Sequence, residues 1–281
     1  MSLVSAFLPD GVVRTRYAGL TALELPNSNA RVTVLLVPGL TGSKEDFLPI
    51  LPALAAGGAR VVALDQRGQY ESPDDADPSA FEIPALGQDL LAVSAELGGP
   101  VHLVGHSFGG LVAREAVLAD RSPWRSLVLM GSGPGAIGGG RAQILNAVRP
   151  ILDHGGLAGV VAAQDALTAA DPTHVPSPPE VEAFLRHRML SGSALALAVM
   201  SEALLTAADR VEELRALSAG RELPVLVVHG EHDDAWPPDA QKAMAAQLGA
   251  CYAVIPDARH SPAAEQPAAT ARELLAFWSA G

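Results

Sequence analysis

The chain has 281 residues, 49% of them hydrophobic and 18% charged, which suffices for one large core with room for an inserted segment. A formal net charge of -12 argues against sequence-independent binding to nucleic acid or to an anionic membrane, since both require clustered Lys and Arg. The single cysteine, Cys251, excludes an intramolecular disulfide. It falls in an expected strand and reads as a small buried hydrophobe, in keeping with a reducing cytoplasm.

Residues Met1 to Asp10 lack the basic region and long apolar stretch of a signal peptide. Two short β-like runs between Val12 and Leu25, parted at Ala18-Gly19, predict an edge hairpin. The β-branched run Val32–Val37 predicts a strand buried on both faces, ending in the loop Pro38-Gly39-Leu40-Thr41-Gly42-Ser43. A helix follows, then a strand over Arg60–Leu64 and the segment Asp65-Gln66-Arg67-Gly68. An amphipathic helix is expected from Pro84 to Leu97. Strands alternating with helices at this spacing specify a mostly parallel central sheet with helices on both faces, and such sheets place ligands at the carboxyl ends of their strands.

The next stretch, Val101 to Gly110, reads as a buried strand running into a tight turn with Ser107 at its apex, followed by a helix over Leu111–Leu118. The turn has the form G-x-S-x-G. A strand reversing into a helix within a few residues crowds the positions two before and two after the apex, which suits glycine at 105 and 109. The serine is then held in strained geometry with helix amides nearby. An incidental serine in a glycine-rich turn would not require this strand-turn-helix context.

A strand over Ser126–Met130 precedes a long interval without strand signal. Helical patterns at 141–153, 157–170, 179–190 and 194–217, broken near Pro172, Pro176, Pro178 and Pro179, predict an inserted helical cap. The mildly apolar run from Ala194 to Ala208 contains Ser201 and Glu202, so no membrane span is expected. The sheet resumes at Leu223–Val228. A helix over Asp239–Leu248, a strand over Cys251–Ile255 and a helix from Ala263 to Trp278 complete the chain. The expected division is core over 1–133, cap over 134–220 and core again over 221–281.

A neutral serine hydroxyl needs a base, and the base needs an acceptor that fixes its tautomer. Of eight histidines, His260 lies just past the last strand, and the carboxylates of Gly230-Glu231-His232-Asp233-Asp234 lie past the one before. His106 and His229 flank strand ends and read as packed residues, and Arg67 as a loop brace. No set of residues has metal-ligand spacing, and no phosphate loop is present, so neither metal nor cofactor is expected.

These motifs together resemble a capped α/β-hydrolase over nearly the whole chain outside the cap. The serine turn corresponds to Gly105-His106-Ser107-Phe108-Gly109-Gly110, the acid loop to Gly230-Glu231-His232-Asp233, and the histidine loop to His260 through Pro267. The resemblance implies a triad of Ser107, Asp233 and His260, with oxyanion donors at the Leu40 and Phe108 amides. Pro38 stands where the family usually has histidine, and Tyr70 where it commonly has glycine. Relatives that act on halides or epoxides carry aspartate in place of the serine. The implied activity is hydrolysis of a small-molecule acyl substrate such as a carboxylic ester. Carbon–carbon bond hydrolysis, cofactor-free perhydrolysis and a non-catalytic receptor are the alternatives known on this scaffold. In the cap, aliphatic residues such as Leu152, Val160, Met189, Leu197 and Met200, with Phe184 the sole aromatic between Pro134 and Gly220, suit short or medium aliphatic acyl groups. Arg186-His187-Arg188 reads as a solvated helix face, with a polar anchor for an anionic substrate as the alternative.

Overall fold

Strands β3 (Val32–Val37), β4 (Ala59–Leu64), β5 (Val101–His106), β6 (Trp124–Met130) and β7 (Val225–Gly230) are apolar on both faces because both faces are covered. The two-residue period of a strand divides each run between two cores. Leu35, Val37, Leu103, Leu127 and Val227 enter one cluster, and Val34, Leu36, Val104, Val128 and Val228 the other. The computed structural model describes residues 8–170, 176–220 and 223–280. Pro172 and the N-terminal stretch Met1–Phe7, both weighed above, lie outside them.

With the hairpin β1 (Val13–Tyr17) and β2 (Leu20–Leu25), and the last strand β8 (Cys251–Ile255), the sheet has eight strands in the order β1-β2-β4-β3-β5-β6-β7-β8. The hairpin turns at Ala18 and Gly19, with φ of 48° and 82°. It pairs antiparallel with β4, and every pairing from β4 to β8 is parallel. Helices α1 (Leu51–Ala56) and α10 (Pro267–Ser279) cover one face. Helices α2 (Ile83–Leu97), α3 (Phe108–Ala119) and α8 (Pro238–Leu248) cover the other. Consequently the ends of β3, β5, β7 and β8 that carry the candidate residues lie along one edge of the parallel sheet.

Between β6 and β7 the chain makes a helical excursion: α4 (Gly139–Ala170), α5 (Pro179–Ser191), α6 (Ala194–Thr206) and α7 (Val211–Gly220). Its exit and return are bonded to each other, Ala136 N donating to Ala207 O at 2.8 Å and Ile137 N to Leu204 O at 3.0 Å. Arg114, buried on α3, donates to Pro134 O and to Ala208 O. Helix α7 packs against α3 and α8.

Helix breaks are where structure and sequence reading diverge. One break agrees: the two patterns at 141–153 and 157–170 are parted at Gly156, whose φ of 59° departs from helix. The single pattern over 194–217 is two helices, because the chain turns after Thr206 and Asp209 Oδ1 accepts the Val211 N–H. The last helix is split into α9 (Pro262–Glu265) and α10 at Gln266, where Pro267 supplies no N–H to continue the ladder. Cys251, expected buried, is exposed, because β8 is the outer strand and has a sheet neighbour on one side only. Among the described residues no single helix is long and apolar enough to cross a membrane; α5 and α6 meet that test only as a pair, bent by 92°.

Candidate active site

Ser107 sits between β5 and α3 with φ 55° and ψ −122°, a left-handed conformation that costs a non-glycine residue of order 1–3 kcal/mol. Two close approaches hold it there. A Cβ on Gly105 would stand 2.3 Å from Gly109 O, and one on Gly109 would stand 2.4 Å from Pro38 O. Only glycine lets the turn close and the β3 loop come against it.

The loops after β7 and β8 complete a chain of hydrogen bonds. Ser107 Oγ lies 2.9 Å from His260 Nε2, and His260 Nδ1 lies 3.0 Å from Asp233 Oδ1. Asp233 also accepts from Ala235 N at 2.9 Å through Oδ1 and from Gln241 Nε2 at 3.0 Å through Oδ2. Burial works to raise its pKa, but the hydrogen bond and charge of His260, with the Ala235 and Gln241 bonds, hold it below the ordinary carboxylate value. An ionised Asp233 fixes the proton of His260 on Nδ1, leaving Nε2 to accept from the serine.

His106, the residue before the serine, is buried and its pKa is pushed down to about 4, by burial first and then by the neighbouring His260. As a neutral ring it donates from Nε2 to the backbone carbonyl of His260 at 2.8 Å. Trp236 closes the other side, its ring centroid 6.4 Å from that of His260 and its Nε1 donating to Gly135 O. Asp234 points elsewhere, pairing with Arg141 at 2.8 Å and Arg259 at 3.6 Å. His229 is buried and bonded to Tyr252, and Arg67 is bonded to Asp89, both packing roles.

The Leu40 and Phe108 amides both flank Ser107, and neither has a hydrogen-bond partner among the described residues. The Leu40 loop is so close that a Cβ on Gly39 would stand 3.1 Å from Ser107 Cβ. Its carbonyls are engaged instead, by Gln66 and Gln69.

A narrow cleft starts at Leu40 and runs under the excursion, bounded by Tyr70, Leu157, Arg188, Met189, Leu197 and Met200. Ser107 is not on its wall; Leu40 joins the two. Arg188, expected in solvent, instead turns inward, pairing with Asp46 at 2.5 Å and reaching Ser43 Oγ at 3.3 Å, while Arg186 stays exposed beside Asp165. Sequence reading missed the buried amides Gln66, Gln69 and Gln241, since a polar residue in a loop or on a helix face gives no sign that its partners are buried. Folding also brings the exposed Glu231, His232 and Asp257 together, their ligand atoms within 4.8 Å of one another, a grouping that their spacing does not suggest.

Residues 34–273 match the model of the alpha/beta hydrolase family. A protein described as the carbamate hydrolase RutD of Variovorax paradoxus is 40% identical over 98 residues, a stretch covering 34% of this chain and 36% of that protein. The chain thus aligns with about a third of that relative's length. Among solved structures, an enol-lactonase from Burkholderia xenovorans superposes with a TM-score of 0.75 at 20% identity, covering 95% of this chain and 100% of the other. A thermophilic esterase from Thermogutta terrifontis gives 0.76 at 23%, covering 95% and 98%. At such identities these two superpositions establish the fold: an eight-stranded, mostly parallel sheet wrapped by helices.

Proposed function

The chain belongs to the alpha/beta hydrolase family of enzymes, and from that premise we propose that it is a serine hydrolase cleaving a small carboxylic ester or related acyl compound through an acyl-enzyme. The unbroken relay from Ser107 Oγ through His260 to Asp233 is the observation that carries the reading. Ser107 Oγ attacks the substrate carbonyl as its proton passes to His260 Nε2, and Asp233 stabilises the resulting imidazolium. The Leu40 and Phe108 N–H groups, both unengaged, suit the oxyanion of the tetrahedral intermediate; a single such donor contributes ~3–4 kcal/mol in comparable sites. Collapse of the intermediate expels the leaving group, which takes the proton from His260. Water then repeats the sequence on the acyl-enzyme and regenerates Ser107.

The helices of the excursion from α4 to α6 act as a cap that selects the acyl group, with the Leu40 cleft as its receiving site. Carbamate hydrolase, enol-lactonase and esterase are the names borne by the similar proteins, and all describe cleavage of an acyl–heteroatom bond. In this reading no metal or cofactor takes part in the bond cleavage.

The test is chemical. A fluorophosphonate should label the wild-type protein at Ser107 alone, and Ser107→Ala should lower kcat on an activated ester by about 10⁴–10⁶ while leaving the unfolding transition in place. Absence of both labelling and ester turnover would favour the receptor reading.

A further inference from the structure

Pro38 opens the loop that carries the Leu40 amide. It has no N–H and no side-chain donor, so the loop's conformation must be held from elsewhere. Two buried glutamines hold three consecutive carbonyls. Gln66 Nε2 donates to Pro38 O at 2.9 Å, and Gln69 Nε2 donates to Gly39 O at 2.7 Å and to Leu40 O at 3.1 Å. Gln69 Oε1 in turn accepts the Gln66 N–H at 3.1 Å. With two carbonyls at one end of the amide and an N–H at the other, only this orientation satisfies all three partners.

In a trans peptide the C=O and N–H of one unit point to opposite sides. The Gly39 carbonyl and the Leu40 N–H form one such unit. Drawing Gly39 O onto Gln69 at 2.7 Å, with the Gly42 N–H at 3.1 Å as its second and longer donor, therefore turns the Leu40 N–H away from Gln69, on a loop where a Gly39 Cβ would stand 3.5 Å from Ser107 Oγ. That N–H has no other partner among the described residues. A hydrogen bond to the carbonyl also polarises the peptide and strengthens its N–H as a donor. Resting on the serine-hydrolase reading above, we infer that Gln69 is a positioning residue for the oxyanion site: it aims and polarises the Leu40 amide, while Gln66 anchors the carbonyl before it. Neither glutamine touches a reacting atom.

An interaction expressed only in the transition state changes kcat and leaves KM in place. Gln69→Glu keeps the size and the acceptor for Gln66 N–H but sets a carboxylate against two carbonyls; once protonated, the same side chain donates again. At about pH 8 its kcat should fall roughly 10- to 100-fold with KM changed less than about threefold, a loss somewhat below that of deleting an oxyanion donor. The ratio of variant to wild-type kcat should then rise as pH is lowered toward about 5, because the new carboxyl regains its proton. Gln69→Asn, one methylene shorter, should lose kcat without that pH dependence. A role in folding alone would lower the active fraction equally at every pH, so rates are taken per site titrated by fluorophosphonate. Unchanged kcat per site in both variants, or a flat ratio with the loss in KM, overturns the inference. A wild-type protein that neither labels nor turns over would overturn the hydrolase reading and this inference with it.

Discussion

Two adjacent carboxylates show how far position alone separates roles. Asp233 is buried, accepts three hydrogen bonds and faces His260; Asp234 is half exposed and bound to two arginines. Asp233→Asn should lower kcat by about 10⁴, the cost of losing tautomer control in other triads. Asp234→Asn removes a surface ion pair worth roughly 0–1 kcal/mol and should leave steady-state kinetics nearly unchanged. Equal losses, or the reverse order, would overturn the assignment. At this scale the sequence reading reached Ser107, Asp233 and His260 because each lies within a short motif at a strand end. It did not reach Gln69, Gln241 or the inward turn of Arg188. Their partners are tens of residues away in the chain or hidden in a buried turn, and no local pattern marks such a bond.

At the scale of elements, the loops after β3 and β4 are joined through one buried ammonium. Lys44 Nζ lies 2.7 Å from Asp65, 2.9 Å from Glu45 and 2.8 Å from Glu71, with the Tyr70 ring centroid at 4.5 Å. Arg14 pairs with Glu71 from outside at 3.0 Å, so the buried ammonium is shared chiefly by Asp65 and Glu45. Burial, helped by Glu45, pushes Asp65 up to about 7 against the pull of Lys44. Lys44 is itself held above its ordinary value, its burial being outweighed by the charges of Asp65 and Glu45. Because Asp65 has a higher pKa folded than unfolded, its contribution to stability is complete below about pH 4 and is lost as pH rises through about 7. The urea midpoint should therefore decline between about pH 4 and 7, and Asp65→Asn, though less stable at acid pH, should flatten that decline. A slope unchanged by the substitution would place the titration elsewhere. None of this cluster is legible in Ser43-Lys44-Glu45-Asp46, because Asp65 and Glu71 reach Lys44 from the loop after the next strand. The strands, by contrast, were legible to within about two residues, since a strand covered on both faces is written as a continuous apolar, β-branched run. Helix breaks were legible only in part: the one at Gly156 falls between two separate patterns, whereas the turn after Thr206 interrupts geometry without interrupting apolar spacing.

For the molecule as a whole, the proposed receiving site for the acyl group is the cleft under the excursion, walled by aliphatic side chains with Tyr70 and Arg188 among them. On nitrophenyl esters kcat/KM should peak at short to medium acyl chains and fall for long ones, measured with the Ser107→Ala protein as blank. A steady rise through long chains would contradict this. The way the excursion is tied down has a further consequence. Its two stems are bonded to each other, and Arg114, on the helix that begins at the serine turn, grips both. The stretch between Ile137 and Leu204 is thus an insert with a closed base, set between β6 and β7 and fastened to the core further in by Arg188 on Asp46 and by Ser193 N on Gly68 O. On the proposed function, choice of acyl group and bond-breaking chemistry would be separately heritable traits, and a graft that keeps those stems and core contacts should carry the donor's selectivity while retaining the host's Ser107.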